Sequence, residues 1–193
     1  MMSDPATPRA DLRTGWESGR LSRVEELAIT VLGRDRPGIV ADVAGVLAGL
    51  GANLTDSTMT RLRGHFAMTL VCTGPDAADV EAALNPVAVR GRLLATVRAV
   101  GPEESTEPTG EPYVLSVHGA DRLGIVAEVT RVVADAGGNI TDLTTRLAGP
   151  LYVLVAEVEL PPGTAESTER RLTEVATGLG VDVVLRRAES DVL

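Results

Sequence analysis

The sequence predicts an α+β protein built from two copies of one βαββαβ domain, each with a four-stranded antiparallel sheet and two helices on one face. Two observations predict this fold class. The segment Leu27–Thr58 returns without a gap as Tyr113–Thr144, 86 residues later, with 16 identities in 32 positions. Within each copy the apolar spacing changes from that of strands to that of helices and back, in the same order. A period of 86 residues is too long for a solenoid unit, so each copy should be a whole small domain.

The elements of each copy follow from these spacings. In the first copy we expect strands at Leu27–Gly33, Asn53–Leu62, His65–Cys72 and Arg92–Val100, and a second helix at Pro75–Ala88. In the second copy the strands are Tyr113–Gly119, Asn139–Leu147, Leu151–Leu160 and Val181–Arg187, and the second helix is Thr164–Leu179. The first helix of each copy should bury one apolar face, formed by Ile39, Val40, Val43, Leu47 and Leu50 and by Ile125, Val126, Val129, Val133 and Ala136. Gly51 and Gly137 are typical helix stop signals.

Three details of the topology are also expected. Pro86 falls inside the second helix of the first copy and should kink or end it. Strand two should lie beside both strand three and strand one. One face of each sheet should stay free of helix and expose aliphatic side chains, which favours pairing of the two copies or a homodimer.

Composition sets the domain boundaries. Residues 1–24 are polar and mixed, which predicts a flexible N-terminal segment. The stretch 101–112 is rich in Pro, Gly and acidic residues, which is typical of a linker. The first domain should therefore span residues 25–100, and the second residues 113–188.

Charge and cysteine content exclude several classes of protein. A net charge of −9 is unfavourable for direct nucleic-acid binding and for anionic membranes. No run approaches the roughly 20 apolar residues of a membrane span, and the amino terminus lacks the apolar segment of a secretory signal. Cys72 is the only cysteine, which suits a reducing, cytoplasmic location and is typical of a buried, inert thiol.

The most informative segment is the loop between the first strand and the first helix, Gly33–Gly38 in one copy and Gly119–Gly124 in the other. Gly38 and Gly124 allow a ligand, or another backbone, to approach the first helical turn. Free N–H groups there, with the helix dipole, form a site for a carboxylate. Asn53 and Asn139 begin the second strands, and an Asn side chain can serve an α-ammonium and an α-carboxylate together. Alternatively, the glycines permit tight contacts and the asparagines end turns.

The pattern Asp-Arg-Pro-Gly-Ile-Val, an amphipathic helix and then Gly-x-Asn resembles the ACT domain, a regulatory module that binds amino acids and has a ferredoxin-like fold. The resemblance covers both copies, and a tandem pair without a catalytic domain is similar to the glycine cleavage system transcriptional repressor group. It implies effector sites at interfaces between ACT units. By position it assigns ligand binding to Asp35, Arg36, Pro37, Gly38, Asn53, Asp121, Arg122, Gly124 and Asn139. The second copy departs at Leu123, where Pro is usual, so its helix start should be less rigidly fixed than that of the first copy.

The expected function is therefore that of an amino-acid-binding regulatory protein, with glycine or serine favoured because few aromatics are available for a larger side chain. It would act on a protein partner such as a transcription regulator. The sequence predicts no enzyme, no cofactor and no metal site: His65 and His118 occupy non-equivalent positions, the loop lacks phosphate-binding and dinucleotide motifs, and no nucleophile recurs beside a base. Two alternatives stay open, an interaction module without a ligand and a regulatory subunit of an amino-acid or one-carbon enzyme.

Overall fold

The computed structural model describes residues 26–101 and 110–188 of the 193-residue chain. The chain divides into two compact units, Met1–Glu104 and Ser105–Leu193. The N-terminal segment 1–24, and most of the stretch expected to be a linker, lie outside the described residues.

Each unit has the expected order βαββαβ. The first unit contains β1 (Glu26–Arg34), α1 (Ile39–Gly49), β2 (Asn53–Leu62), β3 (His65–Thr73), α2 (Ala77–Gly91) and β4 (Leu93–Val100). The second contains β5 (Glu111–Ala120), α3 (Ile125–Asp135), β6 (Asn139–Ala148), β7 (Leu151–Leu160), α4 (Ala165–Leu179) and β8 (Val181–Arg187). All pairings within the sheets are antiparallel, which confirms the predicted fold class. Strand β5 begins two residues earlier than expected, because Glu111 and Pro112 already pair with β7.

The strand order corrects one expectation. The sheets run β2-β3-β1-β4 and β6-β7-β5-β8, so β2 and β6 are edge strands. The prediction that strand two also lies beside strand one was wrong. The reason is that β1 is already flanked on both sides, by β3 and by β4, which leaves β2 only one neighbour.

Both of these edge strands carry a β-bulge near their start. In β2 the register against β3 shifts between Leu54 and Asp56. The hydroxyl of Thr55, between them, donates a hydrogen bond to the carbonyl oxygen of Val71 at 3.3 Å. Strand β6 has the same irregularity around Thr141, whose hydroxyl bonds to a β7 carbonyl at the same distance. The bulge is therefore a shared feature of the two copies.

Helices cover one face of each sheet and enclose a mostly aliphatic core. The first core consists of Leu27, Ile29, Val31, Ile39, Val43, Leu47, Phe66, Met68, Leu70, Cys72, Val80 and Leu84. The second consists of Leu115, Val117, Ile125, Val129, Val132, Val133, Leu154, Ala156, Val158, Leu160, Leu172, Ala176 and Val181. Burial raises the pKa of the Cys72 thiol, which keeps it protonated and confirms it as a buried group.

Two details of the helices differ from expectation. Helix α2 runs through Pro86 and ends at Gly91 rather than at Ala88, with Val87 beyond the proline buried. Val40 and Val126 were expected in the cores, yet they are 42% and 38% exposed. They line cavities at the starts of α1 and α3.

Candidate functional site

The loop between the first strand and the first helix ends in the same backbone conformation in both units. Gly38 and Gly124 are the N-cap residues of α1 and α3, with φ of 88° and 94°. This left-handed region favours glycine over every other residue. Pro37 therefore lies one residue before the N-cap, outside the helix. Neither helix has a side-chain cap, so N–H groups of the first turn are available to an anion.

In the first unit the charged residues of this loop bond to one another. Arg36 forms an ion pair with Asp42 at 2.8 Å and donates a second hydrogen bond to the carbonyl oxygen of Pro37 at 3.1 Å. Asp35 accepts a hydrogen bond of 3.5 Å from Arg61, near the end of β2. Asp35 and Arg36 thus brace the loop against α1 and the sheet edge.

In the second unit the charged residues of the same loop make fewer side-chain contacts. Across residues 26–101 and 110–188, Asp121 and Arg122 make no side-chain hydrogen bond or ion pair, and both are exposed. Leu147 occupies the position of Arg61, so Asp121 lacks the cation that Asp35 contacts. Leu123, which replaces the proline, is fully exposed. The charges of the second loop are therefore available to a ligand, whereas those of the first are already engaged.

Each loop opens onto a cavity at the start of its helix. The first has a volume of about 430 Å³ and is lined by Asp35, Arg36, Gly38, Ile39, Val40, Ala41, Ala44, Met59 and Phe66. The second has a volume of about 530 Å³ and is lined by Asp121, Arg122, Leu123, Gly124, Ile125, Val126, Ala127 and Tyr152. An acid, a base and a helix amino terminus thus meet at one apolar cavity in each copy, an arrangement suited to a small zwitterion.

Several lining residues were not predicted as site residues. Val40 and Val126 were assigned to the cores because they are apolar and helical. Met59 lies on an edge strand whose helix-facing side is open, which only the strand order reveals. Phe66 and Tyr152 occupy equivalent positions and line the cavities of their own domains. An alignment of the two copies could have paired these aromatic residues, which differ by the hydroxyl of Tyr152.

The two asparagines lie far from these cavities within their own units. Asn53 pairs with Thr73, which in turn pairs with Glu26 at the start of β1. The loop follows Arg34, at the other end of β1. Eight residues of extended chain, about 26 Å at the rise of a strand, therefore separate Asn53 from the loop along the length of the sheet. Asn139 is displaced in the same way. Neither unit by itself brings its asparagine and its loop together.

Metal binding and membrane insertion each require particular side chains or helices, which can be checked over residues 26–101 and 110–188. No group of three or more His, Cys, Asp or Glu side chains in those ranges could hold a metal ion. None of the described helices is both long and apolar enough to cross a membrane.

Comparison with known proteins agrees with this architecture. The model of the ACT domain family matches residues 25–98 and again residues 111–186. The chain belongs to the ACT domain family. The two units are therefore two ACT domains, and the resemblance seen in the sequence is confirmed.

Among curated relatives, phosphoserine phosphatase SerB2 of Mycobacterium tuberculosis is 29% identical over 167 residues, which is 81% of this chain but 39% of the phosphatase. UPF0237 protein MK1213 of Methanopyrus kandleri is 51% identical over 43 residues, or 22% of this chain and 48% of that protein. The chain thus spans less than half the length of either of these relatives.

Two solved structures cover most of the chain. An unknown protein from Galdieria sulphuraria is 30% identical with a TM-score of 0.74, and the match covers 86% of this chain and 99% of that one. A structure named for a glycine cleavage system transcriptional repressor is 20% identical with a TM-score of 0.68, covering 88% and 100%. At that identity the second match shows a shared fold.

Proposed function

We propose that this tandem ACT protein binds a small α-amino acid, glycine or serine before larger ones, and acts as a transcriptional or metabolic regulator through protein contacts. The observation that carries the proposal is the repeated cavity at an uncapped helix amino terminus, with an aspartate and an arginine in its wall. The helix amino terminus suits the carboxylate, and an aspartate suits the ammonium group. The names of similar proteins, a phosphoserine phosphatase and a glycine cleavage repressor, support the choice of ligand and role.

The ligand is tested by thermal unfolding of the full chain with glycine and L-serine. A ligand at 100 times its Kd stabilises the folded state by about 2.7 kcal/mol. For a chain of this size we expect the midpoint to rise by roughly 5–10 °C. N-acetylglycine, which lacks the ammonium group, and ethanolamine, which lacks the carboxylate, should have no comparable effect. If no amino acid at millimolar concentration raises the midpoint, the protein is an interaction module without a ligand.

The second ACT domain should contribute most to binding, because Asp121 and Arg122 have no competing partners among the described residues. Asp121→Asn and Arg122→Gln should each weaken binding by about 10–100-fold, the value of a hydrogen bond to a charged group. Asp182→Asn removes the same charge from an exposed position on β8 and should bind as the wild type does, by isothermal titration calorimetry. Equal loss in the control and in Asp121→Asn would mean that the effect is one of overall charge.

We further infer that the chain forms a homodimer. Leu32 and Leu94 pair on the helix-free face of the first sheet and are 45% and 62% exposed. Burying such a face is favourable by about 25 cal/mol per Å² of apolar area. Light scattering should give a mass of about 40 kDa, twice the 20.1 kDa of the chain. Leu94→Arg should shift the mass to that of the monomer, while Val89→Arg, on exposed α2 surface, should not. A wild-type mass of 20.1 kDa at high concentration would contradict the inference.

A further inference from the structure

One end of the first ACT domain carries a cluster of arginines. Residues 26–101 contain seven arginines, and the whole chain contains no lysine. Six of the seven lie at the end of the sheet where β1 and β2 finish and β4 begins. We call this surface the arginine end, and its members are Arg34, Arg36, Arg61, Arg63, Arg90 and Arg92.

Backbone contacts join these segments into one surface. The amide of Asp35 donates a hydrogen bond to the carbonyl oxygen of Gly64 at 3.0 Å, which links the β1–α1 loop to the β2–β3 turn. Gly33 pairs with Leu93, so the residues that follow β1 and precede β4 are neighbours. A Cβ placed on Gly91 would lie 3.2 Å from Nη2 of Arg36. Across four strands spaced about 4.8 Å apart, the arginine end is about 15 Å wide.

Few acidic groups balance this charge. Among the acidic residues of the stretch 26–101, only Asp35 and Asp42 lie at the same end, and they contact Arg61 and Arg36. Within the described residues, the other four arginines of the surface have no ion-pair partner, and all four are exposed. Most of the remaining acids of the domain lie at the opposite end: Glu26 starts β1, Asp56 follows the bulge of β2, and Asp76 and Asp79 flank the start of α2.

Two of the arginines are held in an unfavourable backbone conformation. Arg63 and Arg92 have φ of 49° and 52°, the only positive values among the non-glycine residues that the structure describes. The second ACT domain has glycine at both positions, Gly149 with φ of 60° and Gly180 with φ of 68°. Left-handed backbone costs a side-chain-bearing residue free energy that glycine avoids. Strain of this kind concentrates where function requires a particular side chain.

Of the other four positions, the second domain keeps an arginine only at the position of Arg36, where it has Arg122. At the positions of Arg34, Arg61 and Arg90 it has neutral residues, namely Ala120, Leu147 and Gly178. The arginine end is therefore a property of the first copy and is not required by the fold.

We propose that the arginine end docks a short, carboxylate-rich segment of a partner protein. Guanidinium groups match carboxylates with two parallel hydrogen bonds, and arginine is preferred over lysine where that geometry matters. A nucleic acid fits less well, because Phe66, the one phenylalanine, tyrosine or tryptophan of residues 26–101, is 1% exposed, which leaves His65 as the sole ring there that could stack on a base. The chain's net charge of −9 would also repel a long polyanion beyond this end, whereas a short segment contacts only the arginines. The surface shares Arg36 with the cavity of the first domain, whereas Arg63 and Arg92, which the test below replaces, do not line that cavity.

The test measures fluorescence anisotropy of a labelled oligoglutamate peptide titrated with the full chain. The wild type should bind it with an affinity that falls as salt rises, and should not bind oligoglutamine. The double variant Arg63→Gly, Arg92→Gly gives the first domain the residues of the second. It should bind about tenfold more weakly, the loss of two exposed charged contacts. Its thermal midpoint should not fall, because glycine accepts the left-handed backbone, so lost binding cannot be ascribed to misfolding.

A matched control removes two positive charges elsewhere. Arg131→Gln with Arg170→Gln, on exposed positions of α3 and α4, should leave peptide binding unchanged. Equal weakening in this control, or undiminished binding by the glycine double variant, would overturn the proposal. Tighter binding of duplex DNA than of oligoglutamate at the same salt concentration, lost in the glycine variant, would overturn it in favour of a nucleic-acid surface.

Discussion

Phe66→Ala is expected to lower the stability of the first ACT domain by about 3–5 kcal/mol, the usual cost of truncating a buried phenylalanine. Phe66 is the only phenylalanine of the chain and is 1% exposed in the first core. Truncation removes its contacts and leaves a void that aliphatic neighbours fill only in part. Cys72 is in the same core and is the only thiol, so its alkylation under native conditions reports opening of this domain. We expect that rate to rise by about 100-fold or more in the variant.

Phe66→Tyr provides the matched control, because the second domain has Tyr152 at the equivalent position. This substitution keeps the ring and adds a hydroxyl at the wall of the cavity, so its cost should stay below about 1.5 kcal/mol. Guanidinium unfolding followed by circular dichroism gives the same comparison independently. An alanine variant with the wild-type labelling rate would show that Phe66 does not anchor this core.

Gly38→Ala should destabilise the protein by about 1–2 kcal/mol, although a methyl group there would meet no closer atom than Nη1 of Arg36 at 3.8 Å. The cost is conformational, since φ of 88° at the N-cap is unfavourable for alanine. The expected result is a lower thermal midpoint together with weaker amino-acid binding by the first loop. Gly124→Ala should behave alike in the second domain, where φ is 94°.

Gly45→Ala is also a glycine-to-alanine substitution, but we expect it to raise the stability of the protein rather than lower it. Gly45 lies inside α1, and a Cβ there would have no atom within 4 Å. Alanine favours the helix over glycine by about 1 kcal/mol, so this variant should be slightly more stable than the wild type. If both variants changed the midpoint in the same direction, the φ argument for the loop would fail.

The sequence was a good guide where a local pattern determines the structure. Strand Asn53–Leu62 has the expected bounds, and Arg63 and Gly64, both with positive φ, form the turn between it and the next strand. Because the two copies share one sequence pattern, the elements of each copy support the prediction for the other. These features depend on a few neighbouring residues, which is why they can be read without the fold.

What the sequence could not provide depends on how distant strands align. Val40 has the spacing of a core residue, but α1 faces an uncovered edge strand there, so the side chain borders the cavity. Asn53 and Gly38 belong to one motif in the chain, yet the register of β1 with β3 puts them at opposite ends of the sheet. The contrast between a braced first loop and an open second one requires knowing that Arg61 lies beside Asp35.

The bulges at Thr55 and Thr141 have a consequence for assembly in crowded solution. An edge strand with a straight row of free amide and carbonyl groups can recruit further strands without limit and begin a fibre. A bulge interrupts that row and increases the local twist, so an incoming strand can follow β2 only along the part beyond Asp56. The bulge therefore disfavours polymerisation, while the regular part of the strand can still pair with one strand of a partner.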